Sequence, residues 1–296
     1  MFLRILIAIL LLVNIAWAEP IKVYFVGDVM LGRYVDEKMQ QKKEWRWPFL
    51  KIKDDLKAAD ILFGNLEGML SDRGTEGKAK YYLRANPKGV KGLKYAGFTV
   101  LGLANNHVGD YGLLAFTDTI NGLDENGIGW AGYDYLRNRF KPWSRVVKGN
   151  KITLFAYSEH MNLTAKVGKD DLRKEYLRAI KSAKESGAIV ITSIHFGEEY
   201  LGKPTSEQKL LAHLSIDAGA DLVVGHHPHV VQAIEKYKGK YIAYSLGNFV
   251  FDQNFSDATS EGLLLIANIY NSKLISIDPR RVTISKSFQV QLEPAK

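Results

Sequence analysis

The sequence predicts an α/β fold built on largely parallel or mixed β-sheets. Along the chain, short β-branched or apolar runs are followed by a polar loop and then by a segment with helical periodicity. Five of the strand-like runs end in residues able to bind a metal, which is the edge where α/β proteins bind ligands. The composition is that of an ordinary globular protein, with 46% hydrophobic and 24% charged residues among 296.

The predicted strands are short apolar runs that end at a glycine or a polar residue, as strands bounded by loops do. In chain order they cover residues 21–26, 61–63, 98–103, 152–157, 188–194, 222–224 and 241–245. The stretch from about 262 to 292 alternates between apolar and polar residues, and we expect it to form closing hairpins.

The predicted helices lie between these strands and have apolar residues at helical spacing. They cover residues 48–59, 87–96, 113–126, 169–186 and 206–218. Pro48 near the first turn supports the start of the first helix, and Gly127 ends the third. Because no internal repeat and no Pro- or Ser-rich linker is present in the sequence, residues 19–296 are predicted to form a single domain.

Residues 1–18 have the features of a secretory signal peptide. Arg4 precedes an apolar run, and Ala16-Trp17-Ala18 has the small-x-small pattern after which signal peptidase cleaves. The run is shorter than the roughly 20 apolar residues of a membrane span. We therefore predict cleavage after Ala18 and an extracytoplasmic protein, in the periplasm, at the cell surface or secreted. The alternative is an uncleaved N-terminal anchor.

The cysteine and charge content narrows the possible chemistry. The sequence has no cysteine, which excludes disulfides, a thiolate nucleophile, cysteine-ligated zinc and a lipoprotein anchor. Its formal charge of +8 suits an anionic polymer, an anionic membrane surface or nucleic acid, although the lysines can equally serve solubility. Basic clusters such as 41–43 are too short for a nucleic-acid-binding tail, so no nucleic-acid partner is predicted.

Metal-competent side chains are concentrated where predicted strands end. They are Asp28; Asn65 and Glu67; Asn105, Asn106 and His107; His195; and His226, His227 and His229. Because the carboxyl ends of strands meet at one edge of such a fold, we expect these side chains to surround one cleft. Neutral imidazole is a ligand for Zn, Mn and Fe, and three imidazoles share one short turn. Taken singly, Asp28 can be a turn or cap residue and His195 a satisfied half-buried histidine.

Six motifs stand in order between residues 22 and 252. They are Gly27-Asp28-Val29-Met30-Leu31-Gly32-Arg33; Gly64-Asn65-Leu66-Glu67-Gly68; Ala104-Asn105-Asn106-His107 through Asp110-Tyr111-Gly112; His195-Phe196-Gly197-Glu198-Glu199-Tyr200; Gly225-His226-His227-Pro228-His229-Val230-Val231-Gln232; and Ser245-Leu246-Gly247-Asn248-Phe249-Val250-Phe251-Asp252. In content and order these motifs resemble the CapA/PgsA capsule-synthesis family of poly-γ-glutamate biosynthesis, within the calcineurin-like metallophosphoesterase superfamily. The resemblance implies a sandwich of two mixed β-sheets flanked by helices.

The same resemblance implies a centre for one or two divalent metal ions, Mn, Fe or Zn. It implies Glu67 as the bridging ligand, Asn106, His195 and His227 as ligands of one ion, and Asp28 and His229 as ligands of the other. It makes His107 and Asn106 catalytic, with His107 as the acid that protonates a leaving oxygen. It leaves Arg33, Arg84 and Glu198 as substrate contacts, although Arg84 can equally form a surface salt bridge.

The motif after the first strand departs from that of phosphoesterases. They usually have Asp-x-His, whereas this chain has Asp28-Val29-Met30, and methionine is a poor ligand for a hard ion. Glu67 is also one methylene longer than the usual aspartate. The sequence therefore favours metal binding more strongly than two-metal phosphodiester hydrolysis.

Three functions are compatible with these features. The first is an exported CapA-like protein in the synthesis, release or export of an anionic extracellular polymer such as poly-γ-glutamate, through a metal-dependent hydrolytic or transfer step. The second is a periplasmic or cell-surface metallophosphoesterase that acts on small phosphate esters. The third is a catalytically degenerate polymer-binding or scaffold subunit of a membrane-bound capsule synthase complex. A Ser-His-Asp triad is disfavoured because the sequence has no Gly-x-Ser-x-Gly turn.

Overall fold

The structure is a computed structural model that describes residues 19–76, 81–162 and 168–294. The predicted signal peptide at 1–18 lies outside the described residues. Within the described ranges, no helix combines the length and apolar character that crossing a bilayer demands.

Strands and helices alternate along most of the chain. The strands are β1 (Ile21–Val29), β2 (Ile61–Leu66), β3 (Met69–Leu70), β4 (Arg84–Ala85), β5 (Val100–Leu103), β6 (Gly129–Asp134), β7 (Arg139–Lys141), β8 (Trp143–Val147), β9 (Asn150–Ser158), β10 (Ile189–His195), β11 (Leu222–His226), β12 (Ile234–Tyr237), β13 (Lys240–Ala243), β14 (Asn248–Val250), β15 (Glu261–Tyr270), β16 (Lys273–Ile284) and β17 (Val290–Leu292). The helices are α1 (Arg33–Lys42), α2 (Lys53–Leu56), α3 (Val90–Ala96), α4 (Gly112–Glu125), α5 (Lys169–Glu185) and α6 (Ser206–Asp217).

Two mixed β-sheets form the centre of the fold. The larger sheet has the strand order β17-β16-β15-β1-β2-β5-β6-β7, with β14 also paired to β1. In it β1, β2, β5 and β6 run parallel, while β15 to β17 form the predicted antiparallel hairpins. The smaller sheet has the order β12-β13-β11-β10-β9-β8, with β9, β10, β11 and β13 parallel.

The sheets pack face to face and each is covered by helices on its outer side. Alternate residues of β1 show this, because Val23 and Phe25 join the core between the sheets whereas Tyr24 and Val26 join the core beneath α1 to α4. Helices α5 and α6 bury a third core against the smaller sheet. The predicted α/β sandwich of two mixed sheets flanked by helices is therefore confirmed.

The segment between β1 and β2 differs from the prediction. The predicted helix at 48–59 is a 3₁₀ turn (Trp47–Phe49) followed by the four-residue α2, because Pro48 begins a tight turn that is not continued. Helix α1 was not predicted. Its two buried residues, Val35 and Met39, stand at the i, i+4 spacing of a helix, but they are its only buried residues and no side-chain cap marks its start.

The strand register brings the polar ends of the central strands together. Asp28 of β1 lies beside Asn65 of β2, and His195 of β10 lies beside His226 of β11. The carboxyl ends of both sheets therefore open on the same side of the sandwich, and this edge contains the predicted site residues.

Candidate metal centre

Gly27 and Gly225 directly precede the site residues Asp28 and His226, and each allows a neighbouring backbone segment to approach closely. A Cβ atom on Gly27 would lie 1.9 Å from the carbonyl oxygen of Gly247, and one on Gly225 would lie 1.9 Å from that of Tyr244. No other residue fits at either position without a backbone shift. The glycines thus fix Asp28 and His226, the residues that follow them, against the loop between β13 and β14.

The histidine turn after β11 has an unusual backbone. His227 has φ 98° and His229 has φ 58°, values that non-glycine residues rarely adopt. Between them, the carbonyl of Pro228 accepts a hydrogen bond of 2.8 Å from the N–H of Tyr200. Backbone strain of this kind is concentrated at functional sites, and here it brings both imidazoles to the cleft.

Asp28 lies at the centre of the cluster and is fully buried. Its Oδ1 accepts a hydrogen bond of 2.8 Å from Asn65, and its two oxygens lie 3.4 Å from Nδ1 of His226 and of His229. Burial raises the pKa of the Asp28 carboxyl, but the two facing imidazoles outweigh burial and hold the pKa well below its ordinary value. Asp28 is therefore an anion at neutral pH, as a metal ligand must be.

Glu67 is equally buried, but its carboxylate has no hydrogen-bond partner among the residues that the structure describes. Its Oε1 lies 3.7 Å from Nε2 of His229 and 3.8 Å from Nε2 of His107. Burial raises the pKa of Glu67 to about 7 despite the attraction of His229. The attraction of Glu67 and Asp28 outweighs burial at His229 and raises its pKa to about 9. A buried carboxylate without a hydrogen bond is a site that a cation would satisfy.

His195 and His227 form the other side of the cluster. Their ring centroids are 4.6 Å apart, and Nε2 of His195 lies 2.8 Å from Oδ1 of Asn106. Burial, reinforced by His227, holds the pKa of His195 well below its ordinary value, and burial beside His160 lowers the pKa of His227 to about 3. Both imidazoles are therefore neutral at pH 7, the form that binds metals.

The donor set fits a divalent metal ion. Ligand atoms of Asp28, Glu67 and His195 lie within 4.8 Å of one another, as do those of Glu199, His227 and His229. Among the described residues, five side chains have buried polar atoms without a hydrogen-bond partner, and three of them belong to this cluster: Glu67, His226 and His227. Carboxylate and imidazole together suit Mn, Fe or Zn. The predicted ligands Asp28, Glu67, Asn106, His195, His227 and His229 thus form one cluster, and their division between two ions stays a prediction.

His107 lies at the mouth of this cluster and is held by a carboxylate. Its Nδ1 lies 2.7 Å from Oδ2 of Asp110, and Asp110 also accepts hydrogen bonds of 2.7 Å from the N–H of Leu83 and from Asn162. A carboxylate at Nδ1 fixes the ring and the tautomer, so that Nε2 faces Glu67. The neutral tautomer that Asp110 favours has its proton on Nδ1, so the predicted role of His107 as an acid requires the imidazolium form, with a second proton on Nε2.

The three predicted substrate contacts lie in different places. Arg33 lines the 620 Å³ cleft above the cluster, where it forms a two-point ion pair with the buried Asp252. Arg84 lies outside the cleft lining and stacks 4.1 Å above the ring of Tyr111. Glu198 is exposed and does not line the cleft, whereas the neighbouring Glu199 does.

Met30 occupies the position where phosphoesterases have a ligand histidine. Its side chain is buried in the core beneath α1 to α4, and its sulfur accepts a contact of 3.0 Å from the N–H of Gly32. This residue is therefore packed away from the imidazole cluster. With Met30 in place of the usual histidine, the metal centre has one imidazole ligand fewer than in phosphoesterases.

Two residues of this site, His160 and Glu199, lie outside the predicted set. His160 is not among the residues predicted for the site, yet its ring centroid lies 4.8 Å from that of His227. It follows the end of β9 by two residues, so the rule that identified the other strand ends applies to it as well. Glu199 was passed over for Glu198, and the sharp turn at Gly197 (φ 95°) decides which of the two faces the cleft.

The comparisons with known proteins assign the chain to a family. The family model described as bacterial capsule synthesis protein PGA_cap matches residues 22–253. The chain belongs to this family. The capsule biosynthesis protein CapA of Bacillus anthracis is 35% identical over 264 residues, which cover 83% of this chain and 63% of that protein. The PGA biosynthesis protein CapA of Bacillus subtilis (strain 168) is 35% identical over 254 residues, covering 81% and 66%.

The chain thus spans slightly less than two thirds of the length of these two curated relatives. A solved structure, that of a hypothetical protein from Thermus thermophilus, superposes with a TM-score of 0.55 at 16% identity. The alignment covers 93% of this chain and 100% of that chain. At this identity, the likeness shows a shared fold alone. The predicted membership of the CapA/PgsA family is confirmed by the family model and by both relatives.

Proposed function

We propose that this protein performs a metal-dependent hydrolytic or transfer step in the synthesis, release or export of an anionic polymer such as poly-γ-glutamate. Membership of the capsule-synthesis family supports the polymer, because the similar proteins are named for capsule or PGA biosynthesis. The observation that carries the metal-dependent step is the buried Glu67, which faces His229 and His107 without a hydrogen bond from any described residue.

The residues of the cleft divide the chemistry between them. A bound Mn, Fe or Zn ion, held by Asp28, Glu67 and the imidazoles, would polarise the reacting group and lower the pKa of a bound water. His107 presents Nε2 to the cleft, where its imidazolium form can give a proton to a leaving oxygen or nitrogen, while Asp110 accepts from Nδ1 and keeps the ring in place. Arg33 is fixed by Asp252 and can orient an anionic group of the substrate at the cleft mouth.

Aromatic side chains supply the contact surface for the substrate. Four exposed aromatic side chains line the cleft: Tyr34, Tyr81, Tyr200 and Phe255. Exposed aromatic clusters on a protein surface mark binding sites, because their rings cover apolar parts of a ligand. A polymer with methylene groups between its carboxylates has both apolar segments for these rings and charges for Arg33.

The second candidate is a metallophosphoesterase that acts on small phosphate esters. The mixed carboxylate and imidazole cluster favours it, since two-metal phosphoester hydrolysis uses the same donors. The burial of Met30 in the core instead favours a degenerate centre, and hence a polymer-binding or scaffold subunit. In either polymer role, a membrane-bound capsule synthase complex is the proposed partner. We further propose that the protein acts outside the cytoplasm, which the signal-peptide features of residues 1–18 support.

The proposal is tested by elemental analysis and by turnover on the same samples. Wild type is compared with His195→Ala and His227→Ala, and with His213→Ala as a matched control, because His213 stacks on Tyr237 away from the cluster. We expect near-stoichiometric Mn, Fe or Zn in wild type and in the control, and its loss in the two cluster variants.

Each sample is then incubated with poly-γ-glutamate and with a chromogenic phosphodiester. A decrease in polymer length that follows metal content supports the proposed function. Turnover of the phosphodiester alone supports the second candidate. Wild type that takes up no metal in excess Mn or Zn would rule out a metal-dependent step.

A further inference from the structure

The excess positive charge of the chain lies in two segments that pack together. Residues 38–57 and 88–94 contain ten Lys and Arg against three Asp and Glu, a net charge of +7. The whole chain has 40 basic and 32 acidic residues, a net charge of +8, so the rest is almost neutral. An even distribution, as solubility alone favours, would not produce this concentration. We call the surface formed by these two segments the basic face.

Contacts between cations and aromatic rings show that the segments form one surface. The ammonium group of Lys88 lies 5.9 Å from the ring centroid of Trp45, and that of Lys53 lies 5.6 Å from the ring of Tyr95. The guanidinium of Arg46 also lies over Tyr95, at 5.1 Å. The end of α1, the 3₁₀ turn and the helices α2 and α3 are thus joined into a continuous face.

Few of the cations on this face are paired with an acid. In the described part of the chain, only Arg46 and Lys57 of the ten form ion pairs, and each pairs with an acid two or three residues away. Lys43, Lys91 and Lys94 are exposed. Local pairs between exposed side chains are weak and are screened by salt, so they do not neutralise the face.

The face is connected to the cleft through α1. Arg33, at the start of this helix, lines the cleft, and Lys42 ends the helix inside the basic face. Ten residues of helix extend about 15 Å. Between the two ends, Lys38, Lys286 and Glu37 line a 480 Å³ depression that also includes Tyr34 of the cleft. The depression therefore connects the cleft mouth to the basic face, with two lysines and one acid, Glu37, along it.

From this arrangement we infer that the basic face binds a linear polycarboxylate and holds it next to the cleft. The inference rests on the proposed function for the identity of the polymer. Charge complementarity favours a polyanion. A membrane surface is disfavoured, because none of the exposed large hydrophobic side chains in the described residues belongs to this face. Its tryptophans take part in packing instead, and Trp47 donates a hydrogen bond of 2.7 Å to the carbonyl of Ser287.

The test compares two triple variants with the same change in net charge. In the first, Lys43, Lys91 and Lys94 are changed to Glu. In the second, the exposed Lys181, Lys209 and Lys273 outside the face are changed to Glu. Binding of poly-γ-glutamate to the purified protein is measured by fluorescence anisotropy over a range of salt concentrations. Circular dichroism confirms that both variants fold.

We expect the first variant to bind at least about tenfold more weakly at low salt, because electrostatic affinity follows the number of charges neutralised. The slope of log Kd against log salt should decrease by about two to three, again by counterion release. The control should change less than about twofold, since its charges lie away from the face. Equal losses in both variants, or no loss in either, would overturn the inference.

Two further measurements distinguish polymer binding from membrane binding and the basic face from the metal centre. Anionic vesicles that bind wild type more tightly than poly-γ-glutamate would replace the polymer by a membrane surface and overturn the proposal. Metal content and turnover are measured on the same samples. If the protein has metal and turnover but its polymer binding does not depend on Lys43, Lys91 and Lys94, the inference about the basic face alone is refuted. If the protein binds the polymer through the basic face but has neither metal nor turnover, the inference about the face stands and the metal-dependent step is refuted.

Discussion

Replacing Glu67 by methionine should make the metal-depleted protein more stable while abolishing its response to metal. Glu67 is buried among other charged groups and has no hydrogen bond from the described residues, so its negative charge is costly in the absence of a cation. Methionine has a similar length and no polar atom that needs a partner. The substitution therefore separates the stability of the fold from the requirements of the metal centre.

The expected magnitude follows from the pKa. Burial raises the pKa of Glu67 from 4.5 to about 7. At about 1.4 kcal/mol per pKa unit, the ionised carboxylate costs about 3 kcal/mol at pH 8. About 1 kcal/mol is subtracted for imperfect packing of the methionine. We expect the metal-depleted variant to be about 2 kcal/mol more stable than wild type at pH 8.

The sign of the pH dependence is also fixed. Because the folded-state pKa is raised, the cost of ionisation is absent below the unfolded value near 4.5 and reaches its full size as pH rises through about 7. The advantage of the Glu67→Met variant should therefore largely disappear at pH 5. Metal should reverse the order at pH 8, because a ligand at 100 times its Kd stabilises wild type by about 2.7 kcal/mol and leaves the variant unchanged.

The assay is urea denaturation after chelation, at pH 5 and pH 8, with and without added Mn or Zn. Glu261→Met serves as the control, because Glu261 forms a surface ion pair with Arg281. It should change stability by less than about 1 kcal/mol and keep the metal response. A Glu67→Met variant that is less stable than chelated wild type at pH 8, or that still responds to metal, would refute this reasoning.

Three further predictions concern the residues around the metal centre. Changing Asp110 to Asn should lower turnover about 10- to 100-fold and shift the pH profile of turnover, while the metal content stays unchanged. The reason is that His107 loses the anion that fixes its tautomer. An unchanged pH profile would contradict this positioning role. Changing Gly225 to Ala places a methyl group 1.9 Å from a backbone carbonyl oxygen. Urea denaturation should show a loss of about 2–4 kcal/mol in the free energy of unfolding. Gly122→Ala serves as the control and should cause no loss, because the added methyl group lies in open space on α4. Metal uptake at pH 7 should release protons, because His229 with its pKa of about 9 must lose one to become a ligand. Calorimetry in buffers of different ionisation enthalpy measures this release, and affinity should rise as pH increases from 7 toward 9; identical heats in all buffers would contradict it.

The strands could be predicted because their signal is local. Runs such as 189–194 are β-branched and apolar, and they end at a polar residue at the edge of the sheet where ligands bind. Helix α1 gives a shorter local signal, because only Val35 and Met39, at i, i+4 spacing, are buried among its ten residues. Its position depends on packing of Val35 and Met39 against the core, which is a tertiary property.

The site shows the same division between local and tertiary information. Histidines at strand ends could be collected from the sequence, because parallel strands bring those ends together. The choice of Glu199 over Glu198 depends on one backbone turn, and the distance from His160 to His227 depends on how β9 and β11, on either side of β10, are placed in the smaller sheet. The pairing of Arg33 with Asp252, 219 residues apart, likewise follows only from the folded chain.

The most direct test of the metal centre is anomalous diffraction from crystals of the protein grown or soaked with Mn. We expect one or two strong peaks between Asp28, Glu67 and the imidazoles of His195, His227 and His229, at about 2.0–2.3 Å from the nearest ligand atoms. Absence of a peak at this cluster at saturating Mn, or a peak only at another place on the protein, would contradict the central claim that the strand ends form a metal centre.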